Sequence, residues 1–116
     1  MANDRTFELR TYRSSPGNLT ALSNRFKDHT IALFTDHGIG VTGFWIAPDG
    51  DDPTTGSLIY ILDYESPEFA ATAWAAFQGD ERWKTARAAT EEAAGGPLTS
   101  SIESKFMSPT EYSPIR

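Results

Sequence analysis

Residues 6–13 alternate: Phe7, Leu9 and Thr11 face one way, and Glu8, Arg10 and Tyr12 the other. That is the two-residue period of a strand. Ser14, Ser15, Pro16 and Gly17 break it with a turn. From 18 to 37 the period becomes helical. At about 100° per residue, Leu19, Leu22, Phe26, Thr30 and Leu33 share a stripe roughly 80° wide, and Gly38 stands where a left-handed residue closes a helix. Residues 39–47 read as a second strand, 48–56 as a polar loop, and 57–65 as a third, strongly apolar strand. Ser66 caps the next helix, Pro67 takes its first position and Glu68 complements its dipole. This helix is predicted over 67–78, and Gly79 interrupts it. Asp80 caps a further stretch over 81–94, which Gly95, Gly96 and Pro97 end. A Ser-rich fourth strand over 99–107 suits a sheet edge. The prolines of 108–116 exclude a helix and predict an extended tail.

The order β-α-β-β-α-β within 1–116 predicts one α+β domain. Its fold is ferredoxin-like, an antiparallel four-stranded sheet with its helices on a single face. The other face of such a sheet meets water unless something covers it, and then its residues should be polar. They are not. The third strand carries Leu58, Tyr60, Leu62 and Tyr64 on one side, but Ile59 and Ile61 on the other; the second carries Val41 and Trp45 against Phe44 and Ile46. A second copy of the sheet is the simplest cover, which predicts a homodimer formed through sheet faces. A partly wet, aromatic-rich face on a monomer is the alternative.

Composition narrows the chemistry. The chain has 116 residues, 39% of them hydrophobic and 22% charged, a globular balance. It has no cysteine, which removes disulfides, thiolate metal sites and cysteine nucleophiles together. A net charge of −6 argues against nucleic acid as a partner. No apolar run approaches a membrane span, and the opening residues lack the apolar stretch of a secretion signal, so the expected setting is the cytosol. A preference for Arg over Lys, with much Ala and Thr, suits a bacterial source.

Two histidines eight residues apart cannot share a metal from one helix face, so no metal site is expected. His37, in the last helical turn, reads as a C-terminal cap. His29 lies by helical angle beside Leu22 and Leu33. There it is either a hydrogen-bonded core residue or a general acid/base lining a pocket between helix and sheet. The catalytic candidates are His29, Tyr12 and Arg10. Arg10 and Arg25 suit an anion or enolate, although Arg10 beside Glu8 could simply pair with it. Arg25, Trp45, Tyr60, Tyr64, Trp74 and Phe106 are the ligand-binding candidates, with buried phenols orienting a polar aromatic molecule. Asp49, Asp51 and Asp52 resemble a calcium loop only loosely and lack its closing Glu. There is no phosphate loop, dinucleotide fingerprint or nucleophile elbow.

Several blocks together resemble the NIPSNAP family: Glu8-Leu-Arg-Thr-Tyr12 with Pro16-Gly17, Phe26-x-x-His29-Thr30 with His37-Gly38, and Gly43-Phe44-Trp45. Trp74-x-x-Phe77-x-x-Asp80-x-x-Trp83 and the ending Met107-Ser-Pro-Thr-x-Tyr-Ser-Pro114 extend the resemblance over nearly the whole chain. It implies the dimeric α/β-barrel superfamily, in which two ferredoxin-like units join by their sheets. That superfamily includes cofactor-independent monooxygenases, cyclases, isomerases and haem-handling enzymes. The expectation is a homodimer acting on, or only binding, a small hydrophobic, oxygenated or aromatic metabolite. No cofactor is expected, haem included, because His37 caps a helix and His29 is hemmed in by Leu22, Phe26 and Leu33.

Overall fold

Four strands form one antiparallel sheet in the order β2-β3-β1-β4 in the computed structural model, which describes residues 4–116. They are β1 (Thr6–Ser14), β2 (Gly40–Asp49), β3 (Asp52–Tyr64) and β4 (Thr99–Met107). Three helical bodies connect them. The first runs through α1 (Leu19–Arg25), a π-helical turn (Phe26–Thr30) and α2 (Ile31–Asp36); the others are α3 (Pro67–Gly79) and α4 (Glu81–Ala94). The fold is α+β and ferredoxin-like. Among the described residues, no helix is long and apolar enough to cross a membrane.

The helix signals act as the sequence implies. Ser66 accepts a hydrogen bond from the Phe69 backbone N–H, and Asp80 accepts one from the Arg82 backbone N–H, so one spare donor at each helix start is satisfied. Gly38 adopts φ +75°, and Gly38 and Ile39 donate back to the carbonyls of Thr35 and Phe34, closing the first helix in a Schellman turn. The polar stretch 48–56 is not a loop. It is the tip of a long hairpin in which Asp49 pairs with Asp52 across a two-residue turn, with positive φ at Gly50, and Thr54 and Thr55 continue β3.

Register assigns the faces. Leu58, Tyr60, Leu62 and Tyr64 all point toward the helices and are fully buried. They pair with Tyr12, Arg10, Glu8 and Thr6 on β1, so the polar side of β1 is the side under the helices. The outward face carries Leu9, Ile59, Ile61 and Trp45. The tail is not simply extended. Ser113 bonds back to Thr110, Arg116 pairs with Asp4 at 3.1 Å, and Pro109 and Ile115 border a groove with Phe7 and Ile61. One end of the outward face is therefore covered by this chain itself, and Trp45 remains 53% exposed.

Candidate functional site

The middle of β1 places Glu8 and Arg10 where an ordinary sheet puts aliphatic residues. Glu8 is 2% exposed and accepts from Tyr64 Oη (2.5 Å), from Arg10 Nη1 (2.7 Å) and from Ser104 Oγ. Burial alone would push its carboxyl up. The hydrogen bonds from Ser104 and Tyr64 and the Arg10 charge outweigh that and hold it below the ordinary carboxylate range. Trp74 donates from its indole N–H to Tyr64 Oη and lays its ring under the Arg10 guanidinium at 4.2 Å. Burial raises the Tyr64 phenol to stay protonated, and its hydrogen bond to Glu8 adds to the effect.

Arg10 spends its other donors on two phenols. Nε donates to Tyr60 Oη at 3.0 Å and Nη2 to Tyr12 Oη at 3.1 Å. Burial opposes the charge on Arg10, but these oxygens and Glu8 prevail and keep it protonated. Tyr60 is completely buried, and that burial drives its phenol well above the usual range. Tyr60 is therefore neutral, and Arg10 donates to its oxygen and to that of Tyr12. Even where one phenol O–H donates to the other, one O–H is left over.

These groups border a cavity of about 320 Å³ between β1, the end of β4 and the helices. Phe26 and Phe34 from the first helix, Trp74 and Phe77 from α3, and Trp83 from α4 give it aromatic walls. Arg10, Tyr12 and Arg25 supply its polar side. Arg25 projects from α1, is 5% exposed, and stands 5.2 Å from the centre of the Trp83 ring.

Of the nine predicted site residues, four line the cavity and five do not. Arg10, Tyr12, Arg25 and Trp74 line it, and Tyr60 is fully buried and tied to it through the hydrogen bond from Arg10. Tyr64 lies one layer deeper, behind Trp74 and Glu8. Phe106, on the helix side of the edge strand, is 55% exposed and borders a neighbouring groove with Glu8, Arg10 and Trp74. Trp45 does not face the cavity. It lies on the outward face, and its ring covers Gly43, where a side chain would collide with it.

His29 is the main correction. It is exposed, in a groove between α1 and α4 with Asn24, Asp28 and Thr90, not between helix and sheet. The cause is the π-turn: the Ile31 N–H reaches back to Phe26 O, and Thr30 Oγ1 to Arg25 O. A turn closed i→i+5 takes in one more residue than an α-turn, which rotates His29 off the buried stripe. Leu22, Phe26 and Leu33 therefore do not hem it in. His37 ends the first helix as predicted, and its Nε2 lies 2.8 Å from Asp80 Oδ2, tying that helix end to the cap of α4. Among the described residues no three metal-ligating side chains converge.

The family model for NIPSNAP matches residues 7–114. The chain belongs to the NIPSNAP family. Its fold is similar to that of a NIPSNAP-family protein of unknown function from Agrobacterium tumefaciens, with a TM-score of 0.81 at 22% identity, covering 100% of this chain and 97% of that one. A second NIPSNAP-family protein of the same bacterium gives a TM-score of 0.82 at 21% identity, over 100% of this chain and 95% of the other. A more distant likeness is to a monooxygenase of Streptomyces coelicolor in complex with the ligand nanaomycin D. There the TM-score is 0.57 at 15% identity, over 92% and 88% of the two chains. No curated protein matches the chain.

Two contributors to this NIPSNAP cavity escaped the sequence reading. Glu8 was visible only as a partner for Arg10, because nothing local reveals that Tyr64 and Ser104 converge on it from two other strands. The pair Arg87 and Glu91 on α4 had a signal, a four-residue spacing that puts both on the helix face of Trp83.

Proposed function

We propose that this NIPSNAP chain forms a homodimer through its outward sheet faces and binds a small hydrophobic, oxygenated or aromatic molecule between sheet and helices. It acts on that molecule without a cofactor, in reactions of the cyclase, isomerase or monooxygenase type, and works in the cytosol. One observation carries the reading: Arg10 donates to the phenol oxygens of Tyr12 and Tyr60, and with Tyr12 lines an aromatic-walled cavity. Aromatic walls accept a flat apolar body, and a phenol O–H polarised by the guanidinium donates to an oxygen on it. The same donor stabilises negative charge as it develops there, the demand common to enolate and oxyanion chemistry. The fold likeness to a monooxygenase crystallised with nanaomycin D supports the ligand class only in outline.

The displacement of His29 favours a second reading, ligand binding or scaffolding without turnover, since the chain's best acid/base stands outside the cavity. Calorimetry with the neutral probe 1,4-naphthoquinone tests the shared part. Binding is expected for the native chain and should weaken about 3- to 10-fold in Tyr12→Phe, the usual worth of one neutral hydrogen bond. No heat of binding at millimolar probe, or no loss in Tyr12→Phe, overturns the assignment. Light scattering at micromolar concentration should give twice 12.8 kDa; a mass near 12.8 kDa removes the dimer.

A further inference from the structure

Among the described residues, the guanidinium of Arg25 shares its nearest counter-ion, Glu91, with Arg87. Its Nε and Nη1 are fully buried and have no hydrogen-bond partner among the described residues. The nearest carboxylate oxygen, Glu91 Oε2, is 4.0 Å from Nη1, beyond hydrogen-bonding range, and the same oxygen is closer to Arg87 Nε at 3.4 Å. Buried guanidinium donors left unmade are costly, and arginine cannot escape by losing its proton. Burial pulls its proton affinity down, and Glu91 only partly offsets that.

The surroundings are rich in positive charge. Arg10, Arg25, Lys84 and Arg87 line the cavity against the single lining carboxylate of Glu91, in a chain whose net charge is −6. Lys84 pairs with Glu81 at 3.5 Å, while Arg87 takes Glu91. Glu8 takes up the Arg10 charge, and the phenols of Tyr12 and Tyr60 supply at least one further unused O–H. The unmade Arg25 donors lie beside the Trp83 ring, whose centre is 5.2 Å from the guanidinium carbon.

We propose that Arg25 is the anchor for a carboxylate, and that the natural ligand is an aromatic or hydrophobic carboxylic acid whose body lies against Trp74 and Phe77. This rests on the ligand-binding reading above and narrows it to an anionic ligand. A carboxylate would take two donors from the guanidinium in the forked geometry that arginine favours, while a ring oxygen would meet the phenols.

The test compares 2-naphthoate with its neutral counterpart 2-naphthamide by calorimetry on the native chain, Arg25→Met and Arg25→Lys. The native chain is expected to prefer naphthoate by about 10- to 100-fold, the usual worth of charge-assisted hydrogen bonds. Arg25→Met should lose that preference while still binding naphthamide, and it should melt no lower than the native chain, because it removes a buried charge with unmade donors. Arg25→Lys should keep part of the preference. Equal binding of the two probes by the native chain, or an undiminished preference in Arg25→Met, overturns the proposal and leaves the ligand-binding reading standing. If neither probe binds, both fall.

Discussion

On β1 the side chains under the helices are Glu8, Arg10 and Tyr12, while those on the open side are Phe7, Leu9 and Thr11. An ordinary two-layer fold puts its apolar residues under the helices and its polar ones in water. Here the helix-covered side is polar at its centre, and the open side presents Leu9, Ile59, Ile61 and Trp45. The polar side is tolerable because each buried group is partnered: three donors meet Glu8, and three acceptors and an indole ring meet Arg10. A polar network whose members stack and bond is rigid, and it holds donors in place at the edge of a cavity. The apolar side has no such internal resolution. Only its Phe7 end is covered by the tail, and the proposed second copy would cover the rest. On the proposed reading the two faces divide the work, one receiving a molecule and the other a second sheet.

The sharpest way to break the polar side is Glu8→Ala, which strands the Arg10 charge, 14% exposed, beside the Tyr64 phenol and the Ser104 hydroxyl, both of which lose their acceptor. Removing one member of a buried pair costs about 3–5 kcal/mol, a large fraction of a small domain's stability, and urea unfolding should show it. Glu8 also fixes the sign of a pH effect. Its folded carboxyl titrates below the unfolded one, so its contribution is fully present above the ordinary carboxylate range and disappears as pH falls through the folded value. Glu8→Gln should flatten that acid limb. Unfolding curves in which neither variant differs from the native chain would show the network to be ornamental.

The open side is broken by Ile59→Lys, which sets a charge opposite Trp45 on β2 and Thr11 on β1. If a second copy covers this face, the ammonium must be desolvated at its centre, and association should weaken by about 30-fold or more. The protomer itself should keep its melting temperature to within a few degrees, because the substitution touches nothing under the helices. Sedimentation reading the same dimer in both chains would reject this face as the interface.

Much of this division was legible in the sequence. The alternation of 6–13 placed Glu8, Arg10 and Tyr12 on one side, and Ile59 and Ile61 exposed the problem of the second face. Caps at Ser66 and Asp80 and the Gly38 terminator were readable because each is a local interaction between near neighbours. What was illegible depends on partners distant in the chain. The hairpin tip forms because 49 and 52 pair, and the Glu8 site needs Tyr64 and Ser104 from other strands. The π-turn has no signature in a stripe calculated for an ideal helix. That is why Arg25 and Phe26 could both be buried on successive positions, and why His29 was placed on the wrong face.

The smallest expected effect is the most diagnostic for the helix. If the π-turn has carried His29 out of the layer between helix and sheet, His29→Ala removes an exposed imidazole beside Asn24 and Asp28 and leaves the cavity intact. Exposed substitutions of this kind usually change stability by no more than about 0.5 kcal/mol, so the melting curve should hardly move. Affinity for 1,4-naphthoquinone should also stay within about twofold, because no donor or wall of the cavity is altered. An ideal α-helix through 26–30 would give the opposite outcome, a buried imidazole whose loss opens a hole and lowers the melting temperature by several degrees. Adding the variant to the Tyr12→Phe titration therefore separates the two helical phases in one experiment. A fall in both stability and binding would restore His29 to the layer between helix and sheet, and with it the base that the cavity otherwise lacks.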